Sequence, residues 1–271
     1  MRTIIPVRQL IIAAALVILA APKLAGAMAL IANGGFESGF AGWTRVDALG
    51  SEGTFSLQSG AVSPVNNDSV PSPPDGITAA MSDAQGPGSH VLYQDFIVPS
   101  VLNGAVLTFD LFTGNRAGDF VTPSPASLDF STPALNQQAR VDIVRAGSDP
   151  FSVSLSDVLL NVFQTNPGDP LISGYTTRSN DLAALFAAHA GETLRLRFAE
   201  VDNVFTFQLG VDNVSLATQS IPEPHALSLL IIALAAAGFA GLCKVDHLPL
   251  PCRGVFVSNA GEEESGRVGC H

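Results

Sequence analysis

The chain has 271 residues, of which 47% are hydrophobic and only 14% are charged, with 25 glycines and 18 prolines. It is too apolar to be disordered, and its turn-forming residues are plentiful. The net charge of −11 argues against a nucleic-acid partner, because neutralising phosphates requires clustered lysines and arginines, and no such cluster occurs.

Residues 1–27 have the three parts of a secretory signal peptide. Arg2 and Arg8 form a short basic region, residues 10–21 are apolar, and an Ala-Gly-Ala triplet ends at Ala27. This pattern predicts export and cleavage by signal peptidase after Ala27. The alternative is an uncleaved membrane anchor, which needs a longer apolar run than this one.

Residues 28–219 form the predicted folded domain, which contains no cysteine and therefore no disulfide. Alternation of apolar and polar residues predicts half-buried strands. These strands cover residues 89–98, 105–113, 137–145 and 193–200, with weaker strand signals at 54–57, 77–80 and 151–163. One short helix is predicted at about 180–190, with residues 179–181 as its cap and Gly191 as its stop.

The domain opens with Asn-Gly-Gly-Phe-Glu at residues 33–37, followed by Gly42 and Trp43. This opening resembles the first strand of carbohydrate-binding modules with a galactose-binding-like jelly-roll fold. The resemblance implies an all-β, jelly-roll β-sandwich in which Glu37 helps to hold a structural calcium ion. Calcium prefers several oxygen ligands, and glycines allow loop carbonyls to turn towards it. The alternative is that Glu37 faces solvent at the end of a strand.

The domain closes with Gly-Val-Asp-Asn-Val-Ser-Leu at residues 210–216, after a hairpin turn at Asp202-Asn203. This ending resembles the last strand of exported bacterial jelly-roll domains. The first and last strands of such sandwiches can lie side by side, so Asp212 is the second candidate calcium ligand. The alternative is that Asp212 only caps or pairs locally.

Two aromatic residues are candidates for glycan binding. Jelly rolls bind glycans by stacking sugar faces on exposed aromatic rings and by pairing hydroxyls with polar side chains. The chain has one tryptophan and two tyrosines, and of these we select Trp43 and Tyr175. A lone tryptophan beside an N-terminal strand is more often a core or edge residue than a binding platform.

No motif of an enzyme occurs in the chain: a nucleophile elbow, His-Glu-x-x-His and a phosphate-binding loop are all missing. His90 and His189 lie outside any hydrolase motif, and the cysteines and histidines of residues 245–271 match no zinc-finger spacing. We therefore expect a non-catalytic protein. A glycosidase would need only two placed carboxylates, and the domain offers Asp95, Asp110, Asp142 and Glu200.

The segment 220–244 contains Pro222, Glu223 and Pro224 directly before an uncharged apolar run at 226–243. The prolines stop a helix from extending backwards, and the apolar run is about 27 Å long as a helix, close to the hydrocarbon thickness of a membrane. This segment resembles the sorting signal of the PEP-CTERM proteins. The resemblance implies a transmembrane helix in the inner membrane, recognition by an exosortase and association with exopolysaccharide. The alternative is a buried core helix.

The end of the chain departs from that pattern. PEP-CTERM signals finish with a short basic cluster, whereas only Lys244 follows the span here, and an atypical tail occupies residues 245–271. The tail is either a natural extension or the product of an altered reading frame. The sequence thus predicts an exported, non-catalytic protein of the cell surface or extracellular matrix. Its alternatives are a carbohydrate-binding module with a defined glycan ligand and, third, a glycan-active enzyme.

Overall fold

Two antiparallel β-sheets pack face to face over residues 27–83 and 86–219, which are the residues that the computed structural model describes. The strands in chain order are β1 (Ala27–Ala29), β2 (Thr44–Asp47), β3 (Thr54–Gln58), β4 (Ala79–Asp83), β5 (Gly88–Ile97), β6 (Gly104–Asn115), β7 (Gln137–Arg145), β8 (Val158–Gln164), β9 (Thr176–Asp181), β10 (Thr193–Asp202) and β11 (Phe207–Gln219). The helix α1 (Ala183–Ala188) lies between β9 and β10.

The first sheet has six strands in the order β3-β4-β11-β6-β9, with β1 paired to the far end of β11. The second sheet has five strands in the order β2-β5-β10-β7-β8. In β1, Ala27 pairs with Gln219 of β11, so the first and last strands of the structure lie side by side, although β1 is not the opening motif that was predicted to be the first strand. The predicted all-β sandwich is confirmed at this level of two packed antiparallel sheets.

The core fills the space between the sheets, as the alternating pattern predicts. Leu194, Leu196 and Phe198 of β10 are fully buried on the face that meets the other sheet, which we call the inner face. The ring of Phe198 packs edge-to-face on Phe109 of β6, with the ring centroids 5.5 Å apart. Aromatic pairs of this geometry stabilise a core beyond the area that they bury.

The structure corrects the predicted helix. Its helical residues are only Ala183–Ala188, and residues 179–181, predicted to be its cap, belong to the edge strand β9. The pairing of β9 with β6 extends as far as Asp181, which fixes these residues as a strand. The side chain of Asp181 still accepts a hydrogen bond from the backbone N–H of Ala183 at 2.8 Å, so part of the capping pattern survives.

The opening motif also differs from the prediction, because residues 33–43 form consecutive turns instead of a strand. Asn33 and Phe36 have positive φ angles of 51° and 56°, which a β-strand does not allow. The Asn33 amide stabilises these turns by donating to the carbonyl oxygens of Gly39 and Ala41 at 2.9 and 3.1 Å.

Among the described residues, no helix is long and apolar enough to span a membrane. The predicted transmembrane run at 226–243, the Pro222-Glu223-Pro224 motif and residues 1–26 of the signal peptide all lie outside the described residues. These predictions stay predictions.

Candidate functional site

An open cleft lies where the two sheets end side by side. The edge strand β8 of the five-stranded sheet, the edge strand β9 of the six-stranded sheet and the segment 165–173 enclose a cavity of about 630 Å³, which we call the edge cleft. Its polar and aromatic lining includes Asn161, Phe163, Gln164, Asn166, Asp169 and Arg178.

Arg178 is the charged donor of the edge cleft. Its guanidinium carbon lies 4.9 Å from the centre of the Phe163 ring, which is cation–π distance. The Arg178 side chain is exposed, and no carboxylate whose side chain the structure describes lies within ion-pair distance of it. Its N–H groups therefore remain available to a ligand, while the aromatic ring holds the guanidinium in place.

The amides of the cleft are fixed by the protein. The Nδ2 of Asn161 donates to Asp142 at 2.8 Å, and the Nε2 of Gln164 donates to Thr122 at 3.0 Å. Asp169 accepts from the backbone N–H of Asn166 at 2.8 Å, which closes the turn at the rim. These bonds hold the polar side chains of the cleft in defined positions before any ligand arrives.

This set of groups suits hydroxyl recognition better than bond cleavage. Amides, a carboxylate and a guanidinium beside an aromatic ring supply the hydrogen bonds and the apolar contact that sugars require. Glycoside hydrolysis needs a pair of carboxylates, and Asp169 is the only carboxylate among the described residues that line the edge cleft.

Trp43, the first glycan-binding candidate, lies in the core with 7% of its surface exposed. Its ring centroid lies 5.3 Å from that of Phe36 and 6.1 Å from that of Phe198. Its indole N–H donates to the carbonyl oxygen of Asn33 at 3.0 Å. Little of the ring is left for stacking on a sugar, and Trp43 instead connects the opening turns to the core.

Tyr175, the second candidate, lies outside the edge cleft on the outer face of the six-stranded sheet. Its ring packs on Phe112 with the centroids 5.8 Å apart, and its hydroxyl donates to Gln58 Oε1 at 3.0 Å. Burial, together with the nearby carboxylates of Asp212 and Asp110, raises the pKa of Tyr175, so its hydroxyl stays neutral. The structure therefore does not bring Trp43 and Tyr175 together in one site.

The two calcium candidates meet on one segment, residues 75–78. Glu37 Oε1 accepts hydrogen bonds from the backbone N–H groups of Ile77 and Thr78 at 2.8 and 2.9 Å. These bonds lower the pKa of Glu37. Asp212 Oδ2 accepts from the backbone N–H of Asp75 at 3.4 Å. One loop thus contacts both predicted ligands, although they come from opposite ends of the domain.

Asp212 has the electrostatic environment of a cation ligand. Burial raises its pKa to about 6, with a further contribution from the carboxylates of Asp75 and Asp110. No arginine of the described residues lies within ion-pair distance of it. Calcium fits here only if backbone carbonyls complete the shell, because neither Glu37 nor Asp212 belongs to a group of three acidic or histidine side chains among the described residues.

A second cluster, which the sequence analysis did not identify, consists of His90, Glu200 and Asp202. One potential ligand atom from each residue lies within 4.8 Å of the others, and all three side chains are buried. In the sequence, Glu200 is one of four isolated carboxylates and His90 lies outside any motif. The signal that identifies them is the strand alternation, which places Glu200 on the same face as Leu196 and Phe198.

No known protein family matches the chain, and no curated protein sequence is significantly similar to it. Solved structures with a similar arrangement include a family 61 carbohydrate-binding module in complex with β-1,4-galactotriose, at 10% identity over 70% of this chain and 97% of that one, with a TM-score of 0.36. A family 11 carbohydrate-binding module from Clostridium thermocellum, in complex with a mixed-linked tetrasaccharide, matches at 12% identity over 72% and 96%, with a TM-score of 0.36.

An enzyme is similar to the same degree: a Stig cyclase from Fischerella sp. TAU matches at 17% identity over 72% of this chain and 99% of that one, with a TM-score of 0.39. At these identities and TM-scores, the neighbours transfer neither a function nor a binding site to this chain.

Proposed function

We propose that the protein is a non-catalytic glycan-binding module of the jelly-roll type, and that the edge cleft is its binding site. The observation that carries the proposal is the combination of a ready donor, Arg178, with the Phe163 ring and fixed amides in an open cavity of about 630 Å³. Ligand sites of this volume, with few and well-placed polar groups, are typical for small molecules and short oligomers.

The charge of the protein favours a neutral glycan. The chain carries a net charge of −11, which repels polyanions such as uronate-rich polysaccharides. Within the cleft, Asp169 and Arg178 balance each other in sign. A neutral sugar chain avoids the repulsion and still uses both groups as hydrogen-bond partners.

The location that we propose for this activity comes from the sequence. Signal peptidase would release the domain after Ala27, and an exosortase would process the Pro222-Glu223-Pro224 segment after transient anchoring of residues 226–243 in the inner membrane. The module would then act at the cell surface or in the extracellular matrix, in contact with exopolysaccharide.

Calcium is the cofactor that we propose for this domain, in a structural role. Glu37 and Asp212 would hold the ion together with backbone carbonyls of the adjoining loops, and the ion would supply the positive charge that buried Asp212 lacks. The backbone of Gly35 lies beside Asp212, since a Cβ at Gly35 would be 3.9 Å from Asp212 Oδ1. The ion would fasten the opening turns to β11 and to residues 75–78.

The test is a glycan array with the purified full chain, followed by calorimetry with the best neutral ligand. Arg178→Ala and Phe163→Ala should each raise the Kd about tenfold or more, because each removes a direct contact to the sugar. Arg145→Ala is the matched control: Arg145 is also an exposed arginine, paired with Glu192 at 3.7 Å, and it does not line the cleft, so its loss should leave the Kd unchanged.

The proposal is wrong if no glycan on the array binds, or if the Arg178 and Phe163 variants bind as well as the parent chain. Binding that fails while the chain is folded and exported would instead support the purely structural role in the matrix.

A further inference from the structure

His90, Glu200 and Asp202 face the interior of the sandwich at one end of the five-stranded sheet. His90 of β5 pairs directly with Glu200 of β10, and Asp202 pairs with Gly88. Residues two apart on a strand share a face, so Glu200 and Asp202 continue the buried row that Leu196 and Phe198 begin. The cluster thus occupies the inner face just beyond the apolar core.

His90 is oriented as metal-binding histidines usually are. Its Nδ1 lies 2.7 Å from Asp47 Oδ1, and its Nε2 has no hydrogen-bond partner among the described residues although the side chain is 0% exposed. A carboxylate oxygen this close to Nδ1 accepts the Nδ1 proton, which leaves the lone pair on the buried Nε2.

Gly88 keeps the Nε2 atom open towards the carboxylates. A Cβ at position 88 would overlap His90 Nε2, and the backbone N–H of Gly88 donates to Asp202 Oδ1 at 2.9 Å. The unpartnered nitrogen and the Asp202 carboxylate therefore lie on the same side of the Gly88 backbone. Any larger residue at this position would close the space between them.

We propose that His90, Glu200 and Asp202 bind a divalent transition-metal ion, of which Zn²⁺ is the best match. One imidazole and two carboxylates are the nitrogen and oxygen ligands that zinc accepts, whereas calcium prefers oxygen alone. Two carboxylates in a buried space carry a desolvation cost that a divalent ion offsets. The Asp47 carboxylate orients the imidazole by accepting the hydrogen bond from its Nδ1.

Asp202 also lines a cavity of about 230 Å³, with residues 203–206 on one side and Gly86 and Pro87 on the other. A water molecule or a small ligand can reach Asp202 through this cavity. Three protein ligands next to a reachable space leave a further coordination position, as zinc sites that bind an exchangeable ligand require.

The test measures Zn²⁺ binding to the full chain after chelation and dialysis, by calorimetry with a competing chelator and by thermal unfolding. We expect His90→Gln and Glu200→Gln each to lower the Zn²⁺ affinity at least 100-fold. Asp47→Asn should lower it about 10- to 100-fold, because it removes only the orienting bond. Glu37→Gln is the matched control: it should remove a calcium response and leave the Zn²⁺ affinity unchanged.

The C-terminal Cys252 and Cys270 can take up zinc themselves, so every variant is also compared in a Cys252→Ser, Cys270→Ser background. Zinc binding that disappears in this background, or that survives His90→Gln, overturns the proposal.

If His90→Gln does not fold, the parent chain still provides a test. In the parent chain, Zn²⁺ must shift the ¹⁵N resonance of one imidazole Nε2. That shift must be retained when each of the other four histidines, His189, His225, His247 and His271, is replaced by glutamine. An unshifted imidazole at saturating Zn²⁺ equally overturns the proposal.

Discussion

Asp212 is a carboxylate in a place where its charge is costly. It is fully buried, and two other carboxylates lie nearby. Among the described residues, its two oxygens accept only backbone N–H groups, from Asn213 at 2.7 Å and from Asp75 at 3.4 Å. Its pKa is raised to about 6, so the folded state holds its proton more tightly than the unfolded chain does. The protonated form therefore favours folding.

We expect this residue to make stability depend on pH when calcium is removed. Stability from the raised pKa is present below about pH 4 and is lost as the pH rises through about 6, by up to about 3 kcal/mol. Denaturant unfolding in a chelator should therefore show that the free energy of unfolding of Asp212→Asn rises relative to that of the parent chain between pH 4 and 7. Calcium should restore the stability of the parent chain at pH 7 and leave the stability of the variant unchanged. A difference in free energy of unfolding between the two chains that stays constant from pH 4 to 7 would contradict the raised pKa of Asp212.

Sequence motifs identified Glu37 and Asp212, and the structure brings both of them to residues 75–78. The same reasoning could not identify the edge cleft, because Phe163 and Arg178 come from two edge strands that do not pair with each other. It also missed Glu200, although the alternation of Leu194, Leu196 and Phe198 already places that carboxylate on the inner face. A charged residue on the apolar face of a predicted strand is the sequence signal that identifies such a buried carboxylate.

At the scale of elements, the outer face of the five-stranded sheet is held by charged side chains. Asp142 of β7 accepts a pair of hydrogen bonds from Arg140 at 2.7 Å each and a further pair from Arg197 of β10 at 2.6 and 3.2 Å. Arg197 and Asp142 are 0% exposed. Burial lowers the pKa of Arg197, but the carboxylate of Asp142 opposes that shift. One carboxylate thus satisfies two buried guanidinium groups.

We expect Asp142→Asn to destabilise the fold by about 3–5 kcal/mol, because it leaves two buried positive charges without a counter-charge. The matched control is Glu192→Gln, which removes a half-exposed carboxylate from Arg145 at 3.7 Å and from His189 at 3.0 Å, and it should cost less than about 1 kcal/mol. Denaturant unfolding of both variants gives the comparison. Equal losses would show that burial does not decide the strength of these pairs.

The central strands β7 and β10 were predictable from sequence, whereas the edge strands β2 and β9 were not. Strand β7 matches its predicted range of 137–145, and β10 extends the predicted 193–200 by only two residues. By contrast, β2 and β9 are short, polar and mostly exposed, so no alternation marks them. Strand β2 is held by hydrogen bonds to β5, and β9 by hydrogen bonds to β6. These partners are distant in sequence, so the local residue pattern does not reveal them.

In the whole molecule, the two predicted processing sites lie in the sequence near the two ends of the residues that form the sandwich. Cleavage after Ala27 removes one residue of β1 and leaves the pairs of Met28 with Thr218 and of Ala29 with Ala217. Mass spectrometry of the mature protein from its host should find an N-terminus at Met28 and a C-terminus at Pro222 to Pro224. A chain that still ends at His271 would contradict processing by an exosortase.

The pairing of β1 with the far end of β11 also sets the direction in which the domain presents its cleft. Ala27 and Gln219 lie side by side, opposite Gly104 at the start of β6. Leu111 and Thr113 of the edge cleft lie about 25–30 Å further along β6, at about 3.4 Å per residue. A molecule attached through the chain before Ala27 or after Gln219 would therefore carry its edge cleft at the opposite end of the sandwich from the attachment point.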